Sequence, residues 1–327
     1  MFRFLKRLVL FIVGVVALAA GLLFLGPREQ IERGAPVSIE GRGITEVLAE
    51  REAAFSDITP GTEARVIWAG APETQTPLSI LYLHGFSATS EEIRPVPDTV
   101  AEALGANLIY ARLSGHGRTG DALAMATASD WADDAALFLD LARRAGERVL
   151  IMGTSTGATL AAYAMTEPDM AENVAGVVMV SPNFRVANPA AVITELAFAR
   201  RIVPLLAGEE RAWEALNEGH GRYWTTRYGT GALTSLGTLM REARNRDYSG
   251  VSVRVLVIFS ENDQVVSAAA SREFIAGWGG PVTLAPQTLP QTGADPYFHV
   301  IAGDILSPAM TAPVTETILE WTTDILP

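Results

Sequence analysis

The chain contains no cysteine among its 327 residues. This absence excludes disulfide bonds, thiolate metal sites and a cysteine nucleophile. It also excludes attachment to a membrane through a lipid-modified cysteine near the N-terminus. Histidine is scarce as well, with four residues, so few side chains are available as a general base near neutral pH.

Positive charge is in short supply too. Lysine and arginine together number 25 against 37 acidic residues, and the net charge is −12. Because nucleic acid is bound by basic surfaces, we expect no nucleic-acid partner. The length allows one α/β domain with an insertion or two modest domains. The sequence shows no internal repeat and no low-complexity segment.

The N-terminus carries a run without charge. Leu8 to Leu25 is 18 residues long and follows three basic residues. A bilayer-spanning helix takes roughly 17–25 apolar residues, so residues 1–27 are predicted to be a membrane anchor with a single transmembrane helix. A cleaved signal peptide is the alternative, since Ala17-Leu18-Ala19 offers a cleavage site, and a buried soluble helix is a third.

The basic residues before the run also predict an orientation. Positive charge is retained on the cytoplasmic side of a membrane. The remainder of the chain is therefore expected on the extracytoplasmic side, which is the periplasm in a Gram-negative cell. Residues 28–60 are interpreted as a tether with short elements, including a short helix near residues 46–55, and residues 61–327 as the main domain.

Seven short apolar runs alternate with helix-like segments in the main domain. This pattern predicts an α/β fold with a mostly parallel central sheet flanked by helices. The first run is expected at an antiparallel edge. The predicted strands are residues 64–68, 78–83, 107–111, 148–152, 176–180, 254–259 and 282–284.

One strand leads directly into a serine between glycines, Gly153-Thr154-Ser155-Thr156-Gly157, and a helix-like run follows. Strand, tight turn and helix around G-x-S-x-G resemble the nucleophile elbow of the α/β-hydrolases. The resemblance extends from about residue 65 to the C-terminus and is to the esterase, monoacylglycerol lipase and lysophospholipase group. It implies that Ser155 is the nucleophile and that the Thr156 N–H helps to bind an oxyanion. Gly153 and Gly157 are expected to tolerate unusual backbone angles and to leave room where strand and helix meet.

The resemblance also implies an acid and a base, in the chain order serine, acid, histidine. Asp263 follows a strong strand, and His299 follows the last strand, so these two residues complete the predicted triad. Glu261 is a competing acid. Asp263 has a second interpretation as the cap of a helix beginning near Ser267.

A second oxyanion donor is expected after the strand at 78–83. There the pair His84-Gly85 matches the family's His-Gly, with Phe86 supplying the N–H and His84 and Gly85 supporting the loop. The stretch Ser114 to Arg118 resembles the P-G-H-G-x-S segment of monoacylglycerol lipases and lysophospholipases, with serine in place of proline. This stretch favours lipid esters over peptides as substrates.

No clear strand is predicted between Ser181 and Val253, where helices are expected at 189–206, 209–218 and 230–246. The resemblance implies that this insertion, about residues 183–250, is a helical cap over the active site. Its apolar side chains are candidates for an acyl pocket or for packing of the cap. They are Phe198, Leu205, Leu206, Trp213, Tyr223, Trp224, Tyr228 and Leu239.

The sequence thus predicts a membrane-anchored serine hydrolase that cleaves carboxylic esters such as monoacylglycerols or lysophospholipids. No feature calls for a metal, nucleotide or redox cofactor. Two alternatives remain open. An acyltransferase would use the same triad, and a non-catalytic scaffold would use the fold without the chemistry.

Overall fold

The computed structural model describes residues 2–323, without the side chains at positions 16, 19 and 20. The outermost ends of the predicted segments 1–27 and 61–327 lie outside the described residues. The strands are β1 (Arg65–Ile67), β2 (Thr76–Leu83), β3 (Asn107–Tyr110), β4 (Gly146–Thr154), β5 (Val174–Val180), β6 (Glu210–Ala212), β7 (Arg227–Gly229), β8 (Val255–Ser260) and β9 (Val282–Gln287).

Helices surround these strands, with two additional 3-10 helices at Pro189–Glu195 and Pro308–Met310. The α-helices are α1 (Phe2–Leu25), α2 (Ile44–Ala53), α3 (Val96–Leu104), α4 (Gly120–Met125), α5 (Ala128–Ala145), α6 (Thr156–Ala164), α7 (Pro168–Ala171), α8 (Ala199–Ala207), α9 (Glu218–Tyr223), α10 (Ala232–Arg244), α11 (Ala268–Ile275) and α12 (Thr311–Thr322).

The central sheet has the strand order β1-β3-β2-β4-β5-β8-β9. Only β1 is antiparallel to its neighbour, and every other pair is parallel. All seven predicted strands are present, and the first lies at the antiparallel edge, so the predicted α/β-hydrolase sheet is confirmed. Continuous apolar runs identified these strands because helices cover both faces of a parallel sheet.

Alternate side chains of β2 illustrate the two layers. Leu81 and Leu83 belong to one buried cluster, together with residues of α5 and α6. Ile80 and Tyr82 belong to the other, together with residues of α3 and α12. Since successive side chains of a strand point to opposite faces, the sheet is packed between two apolar layers.

The insertion between β5 and β8 is not wholly helical. The predicted helix at 209–218 is wrong, because β6 occupies its start and pairs antiparallel with β7. Gly208, with φ of +87°, ends α8, and cross-strand pairing then outweighs the helix propensity of the residues that follow. The predicted helix at 189–206 is divided into a 3-10 helix and α8, and Phe198 between them has φ of +58°.

The segment predicted as a tether packs on the main domain. Helix α2 buries Ile44, Val47 and Leu48 in the apolar cluster that also contains residues of α5 and α6. Arg112, which is buried, also donates two hydrogen bonds to Glu52, at 2.5 Å and 3.1 Å. These contacts fix the segment to the loop that follows β3.

The predicted anchor forms α1, a helix of 24 residues. Counted over the residues that the structure describes, no helix combines the length and hydropathy required to cross a membrane. The structure does not support the predicted transmembrane helix, which stays a prediction.

Candidate active site

Ser155 lies in the sharp turn between β4 and α6. Its backbone φ of +51° falls in a region that residues other than glycine rarely adopt. A Cβ on Gly157 would lie 2.0 Å from the Leu83 carbonyl oxygen, and one on Gly153 would lie 2.7 Å from the Ala158 nitrogen. Neither glycine has a positive φ, so the expectation that the glycines absorb the unusual angles is wrong. They provide space, and Ser155 carries the strained angle.

Ser155, His299 and Asp263 form a hydrogen-bonded chain. The Ser155 Oγ lies 3.0 Å from His299 Nε2, and His299 Nδ1 lies 2.8 Å from Asp263 Oδ2. They come from the loops after β4, β9 and β8, at the carboxyl edge of the sheet. Functional groups of open α/β sheets collect at this edge.

The competing acid lies elsewhere. Glu261 forms an ion pair with Arg272 on the surface. The second oxygen of Asp263 accepts hydrogen bonds from the backbone N–H groups of Val265 and Val266, at 2.8 Å and 2.9 Å. Asp263 thus orders its own turn and contacts His299 at the same time. The cap of α11 is Ser267, so the helix-cap interpretation of Asp263 is wrong.

The loop that carries His299 is held by a buried carboxylate. Asp295 accepts hydrogen bonds from the backbone N–H groups of Tyr297, His299 and Val300, at 2.9–3.1 Å. The Ser181 hydroxyl donates to the His299 carbonyl oxygen at 2.6 Å. Sequence analysis missed both residues, although an aspartate before a turn is a recognisable signal for such backbone bonds.

The charge state of His299 is set by opposing effects. Burial disfavours the imidazolium, but the negative charge and hydrogen bond of Asp263, with the charges of Glu92 and Asp295, outweigh it and raise the pKa of His299 above 6.5. The same contacts would stabilise the imidazolium that forms when the neutral His299 ring accepts a proton. The arrangement is therefore suited to a general base held beside a hydroxyl nucleophile.

The loop after β2 lies against the elbow. His84 accepts a hydrogen bond from the Leu113 N–H through Nε2, so its Nδ1 carries the proton and donates to the Gly85 carbonyl. Burial lowers the pKa of His84 to about 4, which keeps the ring neutral. Within residues 2–323, the N–H groups of Phe86 and Thr156 donate to no acceptor. They are free to bind an anion beside Ser155.

Glu92 is a buried carboxylate that sequence analysis did not identify. One oxygen accepts hydrogen bonds from the Gly85 N–H, at 2.7 Å, and from the Tyr82 hydroxyl, at 3.2 Å. The Tyr82 hydroxyl also lies 3.0 Å from the Thr154 hydroxyl. Burial raises the pKa of Glu92 to about 7. This network connects the loop before Phe86 with the residue before Ser155, and a glutamate in a polar stretch gives no sequence signal for such a role.

The segment Ser114 to Arg118 is a compact turn behind this loop. Gly115 and Gly117 have φ of +81° and +64°. His116 hydrogen-bonds through Nδ1 to the Ser114 carbonyl at 3.1 Å, and its ring is 4.8 Å from that of His84. Its contacts place it as a support of the loop rather than beside Ser155.

Cap residues complete one wall over the oxyanion loop. The Phe86 and Tyr228 rings meet edge to face with centroids 5.4 Å apart, and Trp213 contacts Tyr228 at 5.7 Å. The backbone of Thr225 donates to the Ser87 carbonyl at 2.7 Å.

The eight apolar candidates for an acyl pocket thus divide. Tyr228 and Trp213 face the loop, whereas Leu239 is buried in the core beneath the sheet. Leu205 and Leu206 are 83% and 69% exposed, so they line no closed pocket.

No group of three histidine or acidic side chains is arranged to hold a metal ion within the part of the chain that the structure describes. The candidate site instead consists of a hydroxyl, an imidazole, a carboxylate and two backbone N–H groups. These are the elements of nucleophilic acyl transfer with an oxyanion hole.

Comparison with known proteins agrees with this geometry. Residues 75–284 match the model of a hydrolase family described as serine aminopeptidase, S33. The match includes the elbow and Asp263 and ends before His299. A search of curated protein sequences gives no match.

Similar solved structures include lipases and esterases. Two metagenome-derived lipolytic enzymes, LipS and LipT, are the subject of one, which is 21% identical with a TM-score of 0.67 over 82% of this chain and 99% of that chain. A soluble variant of the monoglyceride lipase of Saccharomyces cerevisiae is 11% identical, with a TM-score of 0.62 over 81% and 91%. The monoacylglycerol lipase of Paleococcus ferrophilus is 14% identical, with a TM-score of 0.57 over 81% and 100%. The family match confirms the resemblance to α/β-hydrolases and the expectation of a serine hydrolase, and the chain shares its fold with these lipases.

Proposed function

Because the chain belongs to the serine aminopeptidase S33 family of α/β-hydrolases, we propose that it hydrolyses carboxylic esters through Ser155, His299 and Asp263. The observation that carries this proposal is the hydrogen-bonded chain from the Ser155 hydroxyl to the Asp263 carboxylate. A scaffold protein would have no need for a strained serine in contact with a histidine.

The proposed reaction has two halves. Ser155 Oγ attacks the ester carbonyl while His299 Nε2 takes its proton, and Asp263 stabilises the imidazolium through Nδ1. The N–H groups of Phe86 and Thr156 bind the oxyanion of the tetrahedral intermediate. His299 then protonates the leaving alcohol. In the second half, His299 activates water, which releases the acid and restores Ser155.

We propose monoacyl lipid esters, such as monoacylglycerols or lysophospholipids, as the substrates. The aromatic wall of Trp213 and Tyr228 beside Phe86 supports an apolar acyl group. The turn at Ser114 to Arg118 and the monoglyceride lipases among the similar folds point to the same class.

We also propose that α1 anchors the enzyme in a membrane, with the catalytic domain on the extracytoplasmic side. The uncharged part of α1, Leu8 to Leu25, extends about 27 Å at 1.5 Å per residue, close to the thickness of about 30 Å of the hydrocarbon core of a bilayer. Large apolar side chains along α1, such as Leu10 and Phe11, are exposed, which supports contact with lipid. Removal as a signal peptide is the alternative.

A substrate panel tests the proposed activity. Full-length enzyme in detergent should hydrolyse 2-oleoylglycerol and 1-oleoyl-lysophosphatidylcholine, and Ser155→Ala should abolish both reactions. Cleavage of short soluble esters without cleavage of either lipid would overturn the lipid assignment. The family description makes peptides the second candidate, so leucine 4-nitroanilide belongs in the panel, and preferential cleavage of it would favour an aminopeptidase.

The same enzyme could pass the acyl group to an alcohol or amine. Adding glycerol as an acceptor measures this directly, because the ratio of free oleate to new ester reports the partition of the acyl-enzyme. We expect free oleate to dominate for a hydrolase. An excess of ester at low acceptor concentration would identify an acyltransferase.

A further inference from the structure

A cavity lies where the chain leaves α1, and none of the catalytic residues lines it. Its volume is about 430 Å³. One wall is the segment Pro27 to Glu29, and the others come from the 3-10 helix at Pro189–Glu195, α8 and α10. Backbone hydrogen bonds close this corner, from Ala197 N–H to Leu23 O at 3.0 Å and from Phe198 N–H to Pro27 O at 3.3 Å. The end of α1 is thereby joined to the cap.

Two buried hydroxyls line this cavity without a partner. Thr234 and Thr238 are each 2% exposed and stand one turn apart on α10. A threonine inside a helix commonly donates to a carbonyl of the preceding turn, but neither of these hydroxyls has any hydrogen bond. Buried polar groups are almost always paired, so two unpaired donors in one cavity wall leave places for an acceptor, which each hydroxyl would reach by rotating about χ1.

The cavity is also positively charged, in a protein with a net charge of −12. Arg200 and Arg241 are already engaged, by the carboxylate and the carbonyl of Glu29 respectively. The Arg201 side chain is exposed and makes no hydrogen bond or ion pair within the described residues, and the Arg28 side chain donates only to the Phe24 carbonyl. The guanidinium of Arg201, the remaining N–H groups of Arg28 and the two hydroxyls together suit the several acceptor oxygens of a phosphoryl group.

The position of the cavity indicates which molecule would supply the phosphoryl group. The cavity adjoins the end of α1, and the exposed Leu205 and Leu206 follow on α8, the helix that contributes Arg200 and Arg201 to its wall. If α1 spans a bilayer, its last residues lie at the level of the lipid headgroups. At this level the local concentration of phospholipid headgroups is high, so a cationic, partly apolar cavity would bind phospholipids in preference to soluble anions.

We propose that this cavity binds the phosphoryl headgroup of an anionic phospholipid, with Thr234, Thr238, Arg28 and Arg201 as its donors. The lipid source rests on the anchor proposed above, whereas affinity for a phosphoryl group rests only on the cavity. A bound headgroup would tie α8 and α10 to the membrane surface and so fix how the cap faces the lipid.

Native mass spectrometry of the full-length protein in dodecylmaltoside micelles tests the proposal. The probes are dioleoylphosphatidylglycerol, dioleoylglycerol with the same acyl chains and no phosphate, and glycerol 3-phosphate as a soluble phosphate. The cavity variant combines Arg201→Gln with Thr234→Val and Thr238→Val. Its matched control combines Arg211→Gln with Thr315→Val and Thr322→Val, which removes one exposed arginine and two buried hydroxyls that donate within α12.

We expect the wild type and the control variant to retain one phosphatidylglycerol, and the cavity variant to bind it about tenfold more weakly or worse. Dioleoylglycerol should not be retained. Valine matches threonine in shape and the lost hydroxyls have no partners, so the cavity variant should keep its melting temperature and its hydrolysis of 4-nitrophenyl butyrate.

Equal retention of phosphatidylglycerol by the cavity variant and the control would overturn the proposal, as would equal retention of dioleoylglycerol by the wild type. Binding of glycerol 3-phosphate without phosphatidylglycerol would overturn the lipid source. Failure of the anchor is seen separately, as wild-type protein released from membranes by alkaline carbonate. If only the cavity proposal fails, the wild-type protein stays in the membrane pellet after carbonate treatment.

Discussion

Ser155 has a backbone conformation that costs free energy, about 1–3 kcal/mol for a residue of this kind. Its surroundings enforce it. The Ser155 N–H donates to the Val180 carbonyl at 2.8 Å, and its own carbonyl accepts from Ala158 and Asn183. Strand β5, the loop that follows it and helix α6 therefore hold the turn. The result is a hydroxyl that projects from the edge of the sheet towards His299.

The pH dependence of the reaction should report the environment of His299. The neutral ring is the base, and the raised pKa of His299 means that the ring becomes protonated at higher pH than an ordinary histidine. We therefore expect kcat/KM for 4-nitrophenyl butyrate to fall as pH decreases through an apparent pKa above 6.5. An acid limb centred well below 6.5 would contradict the influence assigned to Asp263, Glu92 and Asp295.

Replacing Glu92 tests its role in positioning the oxyanion loop. Glu92→Gln keeps the shape but removes the charge that accepts from the Gly85 N–H, so kcat should fall about tenfold with KM nearly unchanged. Because the Glu92 charge raises the pKa of His299, the acid limb should also move to lower pH. Glu91→Gln, which weakens the partly buried ion pairs with Arg65 and Arg94, is the control and should change neither. A loss of stability without either kinetic change would assign Glu92 a purely structural role.

At this scale, the residues that carry local signals could be predicted. Ser155, Asp263 and His299 follow strands in a recognisable order, and the structure brings them together. Glu92 could not be predicted, because its burial depends on a loop folding over it. The hydrogen bonds of Asp295 are local and could be predicted in part. Its position close to the catalytic residues depends on the tertiary fold and could not.

Among the elements, the sheet was predictable and the cap was less so. A parallel strand is buried on both faces, so its sequence is a continuous apolar run whatever its neighbours are. The short strands β6 and β7 are exposed at Glu210 and Arg227, which form an ion pair. Their pairing is a tertiary contact, and on the β6 side it is made by helix-forming residues, so the local sequence does not encode it.

The packing of α6 against β2 gives a prediction about stability. Gly157→Ala would place a methyl group 2.0 Å from the Leu83 carbonyl oxygen, so it should lower the free energy of unfolding by about 3 kcal/mol and abolish activity. Gly231→Ala is the control. Gly231 has helical angles and open space around it, and alanine there should raise stability by about 0.4–1 kcal/mol. Urea denaturation of the two variants measures both changes, and equal stability would contradict the close contact.

In the whole molecule, the N-terminal segment contacts the cap at the same place where the cationic cavity lies. The end of α1 is joined to the cap, and the cationic cavity lies at this junction. The segment after α1 is not a free linker, because α2 is part of the core. We infer that an anchored enzyme would have a restricted orientation at the membrane.

The anchor itself can be tested with charges in α1. Val13→Arg together with Val15→Arg would place two charges near the middle of the helix, at a cost of about 2.5–3.5 kcal/mol each in a bilayer. We expect the variant to leave the alkaline-resistant membrane fraction while the wild type stays in it. Val37→Arg, at an exposed position after the helix, should have no effect. Recovery of the wild type in the soluble fraction, shortened at its N-terminus, would identify a cleaved signal peptide.

The central claim is that Ser155 is an activated nucleophile. The most direct test is to treat the full-length protein with a fluorophosphonate and map the modified residue by peptide mass spectrometry. The account predicts one adduct, on Ser155, that is absent from Ser155→Ala and formed at least about 10³-fold more slowly in His299→Ala. A folded wild-type protein that remains unmodified, or that is modified at another residue, would contradict it.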